Sequence, residues 1–271
     1  MNDYLTKYDV IAEGKKYLTG SQITAFVSCG VYYRKCYIER LPSRVGSAAN
    51  FGTAIHFSEN EINLRQKVTS KVDVPTDTVQ DAFAEKIDEL KSEIEWSPEE
   101  KSIGVDKSHA GLKDEGCTAI KTLHKEIMPT VQPLSVEKTI IIPLEGFNYS
   151  ISGTWDIETE RGILDLKTRG KTPSQADVDR NLNLTIYALG KSVADGKYPD
   201  YVGLIGIVRL KTPKTFDLRG TRTIEDFNRL LLTVGKIKHA IDQGIFLPCD
   251  PGHWKCSQNW CSFFNDCKEK L

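Results

Sequence analysis

Apolar positions recur at helical spacing in the first half of the chain and at alternating spacing in the middle. Ile23, Phe26, Val27, Val31 and Tyr33 lie on one helical face, so residues 21–40 are expected to form a helix with Ser21 as its N-cap. Residues 47–66, 76–94 and 108–127 give three more helices, the last two separated by a polar stretch with Pro98 and Gly104. Past Pro129 the texture changes. VEKTIIIPL is a short β-branched run, FNYSISGTWDIET alternates, and GILDLKT follows a turn at Glu160, Arg161 and Gly162. SQADVDRNLNLTIYALGKSVADG reads as one helix of about 18 residues ending near Gly196. YVGLIGIVRL is apolar enough for a buried strand, and IEDFNRLLLTVGKIKHAIDQG is a long amphipathic helix.

A helical crossover between strands implies a partly parallel sheet, so the fold class is α/β. Three segments are expected: a helical region over 1–130, an α/β core over 131–245 and a cysteine-rich tail over 246–271. No repeat or low-complexity stretch is present.

The 271 residues are 39% hydrophobic, enough for one sizeable core with or without a small appended module. Basic and acidic residues number 36 and 37, so any nucleic-acid surface must be local. No stretch approaches the roughly 18 apolar residues of a membrane span, and the N-terminal residues lack the apolar run of a signal peptide. A soluble cytoplasmic protein without membrane association is expected. The cysteine count is seven, odd, which disfavours a disulfide framework.

The chemistry begins at the stretch GILDLKTRGK, residues 162–171. Side chains alternate along a strand, so Asp165 and Lys167 share a face. Across the expected hairpin Asp156 comes close to Asp165, and two such carboxylates repel unless a cation lies between them. Hard oxygen ligands suit Mg2+ or Mn2+, and Lys167 beside them would orient a water or stabilise charge developing on a phosphorane. The alternative is a surface ion pair between Asp156 and Lys167 on a half-exposed hairpin.

These residues resemble the core of the PD-(D/E)XK nuclease superfamily in its RecB-like branch, which includes CRISPR-associated and many phage exonucleases. Gly153 and Asp156 match its G-x-x-D motif, and Asp165 and Lys167 match D/E-x-K. Gly52 and His56 supply the upstream G-x-x-x-H, and Tyr187 matches the downstream Q-x-x-x-Y, with Asn183 in place of glutamine. The resemblance implies a restriction-endonuclease-like core, a mixed central sheet flanked by helices, with an N-terminal helical region and a cysteine-rich C-terminal tail. It implies that His56, Asp156, Asp165 and the Leu166 carbonyl bind the divalent metal, and that Lys167 assists the attacking water. Glu137 stands where many relatives carry a first-strand glutamate, and it reads equally as a solvated strand charge. Glu59, three residues after His56, is expected to support the metal ligands.

Cys256, Cys261 and Cys267 are close enough in sequence to chelate one metal or cluster, which needs a fourth ligand. The alternative reading is a packed tail in which these cysteines, with Trp254, Trp260, Phe263 and Phe264, are buried apolar groups. In cluster-bearing relatives the fourth ligand comes from a helix before G-x-x-x-H, where Cys29 stands. The resemblance therefore implies a 4Fe-4S cluster on Cys29, Cys256, Cys261 and Cys267, with Zn2+ as the alternative, pinning the tail to the N-terminal helix. Those relatives usually space the first two tail cysteines by two residues; here four intervene. Cys36 and Cys249 are spare thiols.

Arg209, Lys211, Lys214, Arg219 and Arg222, together with Arg169 and Lys171, are candidates for phosphate contacts. Tyr32, Tyr33, Arg34 and Lys35 are candidates for base stacking. The expected function is a metal-dependent DNA nuclease, an exonuclease on single-stranded DNA or DNA with free ends. Its protein partners would belong to DNA repair, recombination or phage DNA processing. The alternatives are a non-catalytic nucleic-acid-binding subunit and a structure-specific endonuclease.

Overall fold

The structure, a computed structural model, describes residues 16–43, 45–144, 149–258 and 260–269. In chain order its main elements are β1 (Lys16–Thr19), α1 (Gly20–Ser28), α2 (Gly30–Tyr33) with a π-turn (Arg34–Ile38), α3 (Ser47–His56) with a π-helical stretch (Phe57–Leu64), and α4 (Arg65–Ser70). There follow α5 (Thr76–Glu89), α6 (Pro98–Ile103), α7 (Val105–Glu126), β2 (Ser135–Pro143), β3 (Tyr149–Glu158) and β4 (Gly162–Arg169). The chain continues through α8 (Gln175–Asp179), α9 (Leu182–Asp195), β5 (Tyr201–Val208), β6 (Lys214–Gly220) and α10 (Ile224–Asp242). The fold is mixed α/β, with a six-stranded mixed sheet and flanking helices. Among the described residues no helix is long and apolar enough to cross a membrane.

The chain forms two compact units, and the boundaries pass through β2 and β3. The larger comprises Val45–Thr139 and Thr154–Arg222. Its β4 pairs antiparallel with β3, Ile157 facing Leu164, and parallel with β5 through the α8–α9 crossover; β6 adds antiparallel to β5. Alternation along β4 sends Leu164 and Leu166 into an apolar core with Phe51, Ile55 and Leu123 of the helices. Asp165 and Lys167 are left on the opposite face. The smaller unit comprises Met1–Arg44, Ile140–Gly153 and Thr223–Leu271. Within it β1 pairs parallel with the first half of β3, and Ile23, Val31, Tyr33, Leu230 and Val234 are buried.

Three expected helices are interrupted, each for a local reason. The helix expected over 21–40 breaks at Cys29, whose backbone is extended. It is capped by Thr19 rather than Ser21: Thr19 Oγ1 accepts from Gln22 N at 3.2 Å while Gln22 Oε1 accepts from Thr19 N at 2.8 Å. The helix expected over 47–66 widens to π geometry after His56. The single helix expected before Gly196 is two, and Asn181 caps the second. The buried Arg222 guanidinium covers the break, donating to Val178 O at 2.6 Å and Asn181 O at 3.3 Å. Strands β1 and β6 are additional to the expected four; β1 is only four residues long and β6 is rich in charge, so neither carries a strong alternating signal.

Candidate metal and active site

All residues of this site belong to the larger unit. The Ile157–Leu164 register brings Asp156 and Asp165 opposite each other one step further along the hairpin. Asp165 is 2% exposed and its Oδ2 lies 2.7 Å from Lys167 Nζ. Asp156 Oδ2 accepts from Leu166 N at 2.7 Å and stands 3.8 Å from Lys167 Nζ. Lys167 Nζ also donates to the Leu166 carbonyl at 3.1 Å.

Helix α3 brings His56 to this pair, its Nδ1 3.7 Å from Asp156 Oδ2 and 4.0 Å from Glu137 Oε1. The approach depends on Gly52, one turn earlier, where an added methyl would come within 3.2 Å of Thr168 Oγ1 on β4. That contact supplies a physical reason for glycine in the G-x-x-x-H spacing. Glu137 takes a left-handed backbone conformation, φ 51°, inside β2. A strained non-glycine residue of this kind costs about 1–3 kcal/mol and tends to mark a functional position.

His56, Glu137 and Asp156 offer ligand atoms that all lie within 4.8 Å of one another. An imidazole and two carboxylates form a donor set suited to a divalent cation. Asp165 is instead engaged by Lys167. A cleft of about 600 Å³ opens on the group, lined by Gly52, Thr53, His56, Glu137, Lys167 and Thr168 among others.

Electrostatics within the site are those of crowded acids. Burial, and then the Asp165 charge, push the Asp156 carboxyl up to about 7. Burial opposes protonation of His56, but Glu137 and Asp156 outweigh it and its pKa rises. Burial likewise opposes the Lys167 ammonium, and Asp165 and Asp156 more than offset it. For Glu137 burial acts upward, yet hydrogen bonds to His56 and Asn60 hold it below the usual range.

Tyr187, 8% exposed on α9, faces these carboxylates: burial raises its phenol pKa and the charges of Asp165 and Asp156 raise it further. One turn earlier, Asn183 Oδ1 is buried without a hydrogen-bond partner.

Glu59 is not beside the metal group. It is fully buried and hydrogen-bonded to His124 Nδ1 at 3.2 Å and Asn63 Nδ2 at 2.9 Å. The supporting residue is Asn60, which sequence reasoning missed. Its Nδ2 donates to Glu137 Oε1 at 2.6 Å and lies 3.4 Å from His56 Nδ1. The π-helical stretch that begins after His56 carries both Glu59 and Asn60, and a regular i+3 face does not describe it.

Three of the expected phosphate contacts are engaged internally. Arg209 forms a bidentate pair with Glu115, Arg219 pairs with Asp217, and Arg222 is 6% exposed. Lys171, Lys211 and Lys214 stay exposed. In the smaller unit Tyr33 is buried against Phe26 and Phe246, so its ring is not open for stacking, while half-buried Tyr32 lies against Phe263.

The thiols also come together within the smaller unit. Cys249 interacts with Cys29 and Cys256, and Cys261 with Cys29, Cys267 and Cys256. None of the seven cysteines is in a disulfide.

No protein-family model matches the chain, and no curated protein matches it. It shares its fold with the crystal structure of a candidate exonuclease from Eubacterium rectale, at a TM-score of 0.61 and 12% identity over 95% of this chain and 92% of that one. A second solved chain, SSO0001, aligns at 16% identity over 69% of this chain and 82% of that one with a TM-score of only 0.36, too low to argue from.

Proposed function

We propose that this chain is a divalent-metal-dependent deoxyribonuclease of the RecB-like type, an exonuclease that hydrolyses phosphodiester bonds in DNA with accessible ends. The observation that carries the reading is the convergence of His56, Glu137 and Asp156 within ligand distance of one another, beside a lysine paired to Asp165 at 2.7 Å. An imidazole nitrogen and carboxylate oxygens within ligand distance of one another, in a cleft crowded with acids, form a hard donor set that fits Mg2+ or Mn2+. The exonuclease part of the reading draws on the motif resemblance and on the name of the Eubacterium rectale neighbour.

His56, Glu137, Asp156 and Asp165 would hold the ion, with the Leu166 carbonyl at the same edge. A bound Mg2+ or Mn2+ would polarise the scissile phosphate and acidify a water. Lys167 has three ammonium donors; Asp165 and the Leu166 carbonyl take two and fix the head group at the cleft. The third would meet the attacking water or a non-bridging phosphate oxygen as charge develops. Asn60 would keep Glu137 oriented. Tyr187 would bound the site on the α9 side, and the exposed Lys171, Lys211 and Lys214 would contact phosphates along the strand.

The thiols would form a separate, structural centre. Cys29, Cys256, Cys261 and Cys267 would bind a 4Fe-4S cluster, or zinc in its place, since thiolates are soft ligands unsuited to magnesium.

The test is cleavage of end-labelled single- and double-stranded DNA with Mg2+, Mn2+ or chelator, for the parent and Lys167→Met. Metal-dependent loss of label by the parent alone supports the reading. Absence of cleavage by a folded, metal-binding parent on every substrate would overturn it in favour of a non-catalytic nucleic-acid-binding role.

A further inference from the structure

The thiol group in the smaller unit is larger than a four-ligand centre needs. Cys29 sits at the break between α1 and α2, and its Sγ accepts from Tyr32 N at 3.4 Å. Gly30 N donates to Leu247 O at 2.8 Å, which lays the segment leading to Cys249 alongside Cys29. A methyl at Gly30 would come within 2.9 Å of Leu247 N, so the two backbones are in close contact. Cys29, Cys249 and His253 line one cavity of about 630 Å³. The Cys249 thiol lies close enough to Cys29 and Cys256 to interact with both.

Cys267 is joined to the group through Cys261, and its Sγ lies 3.9 Å from Glu269 Oε2. Cys36 hydrogen-bonds with Tyr32. Cys117 belongs to the larger unit.

The tail that carries these thiols is tied by the Arg34–Glu269 pair at 2.6 Å and the Lys255–Ser28 hydrogen bond at 3.1 Å, but few of its apolar side chains are buried. From Pro251 onward it consists of turns, Phe263 is its only buried apolar side chain among the described residues, and Trp254 and Trp260 are 57% and 67% exposed. Apolar packing of the kind the sequence also allowed is therefore thin, and a ligand shared by several thiols would supply the missing cohesion.

We propose that Cys249 is a ligand of this thiolate centre and can complete it together with Cys29, Cys256 and Cys261 when Cys267 is absent. The centre then draws on five thiols, and its fourth position is shared by Cys249 and Cys267. This rests on the thiolate-centre reading above.

Co2+ alone is the probe, added anaerobically to the reduced full-length chain, because its thiolate charge-transfer and d–d absorption report tetrahedral sulfur ligation directly. The parent should bind Co2+ with an intense tetrahedral spectrum, and Cys29→Ser should lose it. Cys267→Ser should keep it, and Cys249→Ser/Cys267→Ser should lose it. Cys36→Ser and Cys117→Ser should match the parent. If Cys267→Ser loses the spectrum as fully as Cys29→Ser, Cys249 is not a competent ligand and the proposal is overturned while the centre stands. If the double variant keeps the parent's spectrum, the proposal is equally overturned. A parent without any thiolate spectrum overturns the centre itself.

Discussion

The Asn60 amide donates to Glu137 Oε1 at 2.6 Å, joining the π-helical stretch after α3 to the strained position in β2. His56 and Glu137 come from segments 81 residues apart, and Asn60 touches both. Its neighbour Glu59 points instead into the helical core, to His124. Adjacent residues thus serve two different purposes, one in the site and one in the fold.

Replacement should separate those purposes. Asn60→Ala should weaken Mn2+ binding about 10–100-fold, the usual effect of removing a residue that orients a metal ligand. Glu59→Leu should leave Mn2+ affinity at the parental level but cost about 1–3 kcal/mol for His124 Nδ1 left without a partner, while Asn63 Nδ2 keeps Asp73 Oδ1. Mn2+ titration by electron paramagnetic resonance and urea unfolding read the two effects. The opposite pattern would put Glu59 in the site and Asn60 in the scaffold.

Lys167→Met removes the ammonium while keeping the length of the side chain. Cleavage of end-labelled DNA should fall on the order of 10²–10³-fold, as when a donor to developing charge is lost. Mn2+ should still bind, because Lys167 is not a ligand. Asp165→Asn should also lower activity, since it loosens the 2.7 Å pair that fixes the lysine. Parental turnover by a purified Lys167→Met variant would remove this residue from the mechanism.

The hairpin chemistry was readable because a strand's two-residue period places Asp165 and Lys167 on one face whatever surrounds them. The crossover helix and the buried fourth strand were readable from the same kind of local pattern. What was not readable depends mostly on contacts distant in sequence or on local backbone geometry that periodicity does not signal. The π geometry after His56 redirects Glu59 and Asn60, and no periodicity signals it. Arg209, Arg219 and Arg222 form a basic run in sequence, yet folding turns them onto Glu115, Asp217 and the carbonyls between α8 and α9. The positive φ of Glu137 has no signature in a β-branched strand.

Gly206 offers a test of how closely β4 and β5 must approach. It faces Lys167 in the parallel register, has φ 154°, and a methyl there would fall 1.8 Å from Lys167 O. Gly206→Ala must therefore strain its own backbone, at about 1–3 kcal/mol, or push the Lys167 peptide away. The expected result is a lower Tm together with a drop in kcat measured well below that Tm. A variant with lowered Tm and parental kcat would show that the strand absorbs the methyl without moving the lysine.

The metal-free site should also make stability depend on pH in a definite direction. Asp156 rises from an ordinary 3.8 to about 7 in the folded chain, so the protonated acid is the form that folding favours. Its contribution is fully present below the unfolded value and is lost as pH rises through about 7. His56, also raised, loses its contribution in the same direction. Glu137 runs the other way, but its lowered pKa confines that effect to acid below the ordinary 4.5. In chelator, the parent should therefore lose Tm between pH 5.5 and 8, relative to Asp156→Asn, which cannot ionise at that position. Added Mn2+ competes with those protons, so the Tm it restores to the parent should be larger at pH 8 than at pH 6. Thermal unfolding of both proteins across this range checks the sign. Equal pH slopes in chelator would mean that Asp156 is already ionised at neutral pH without a cation beside it.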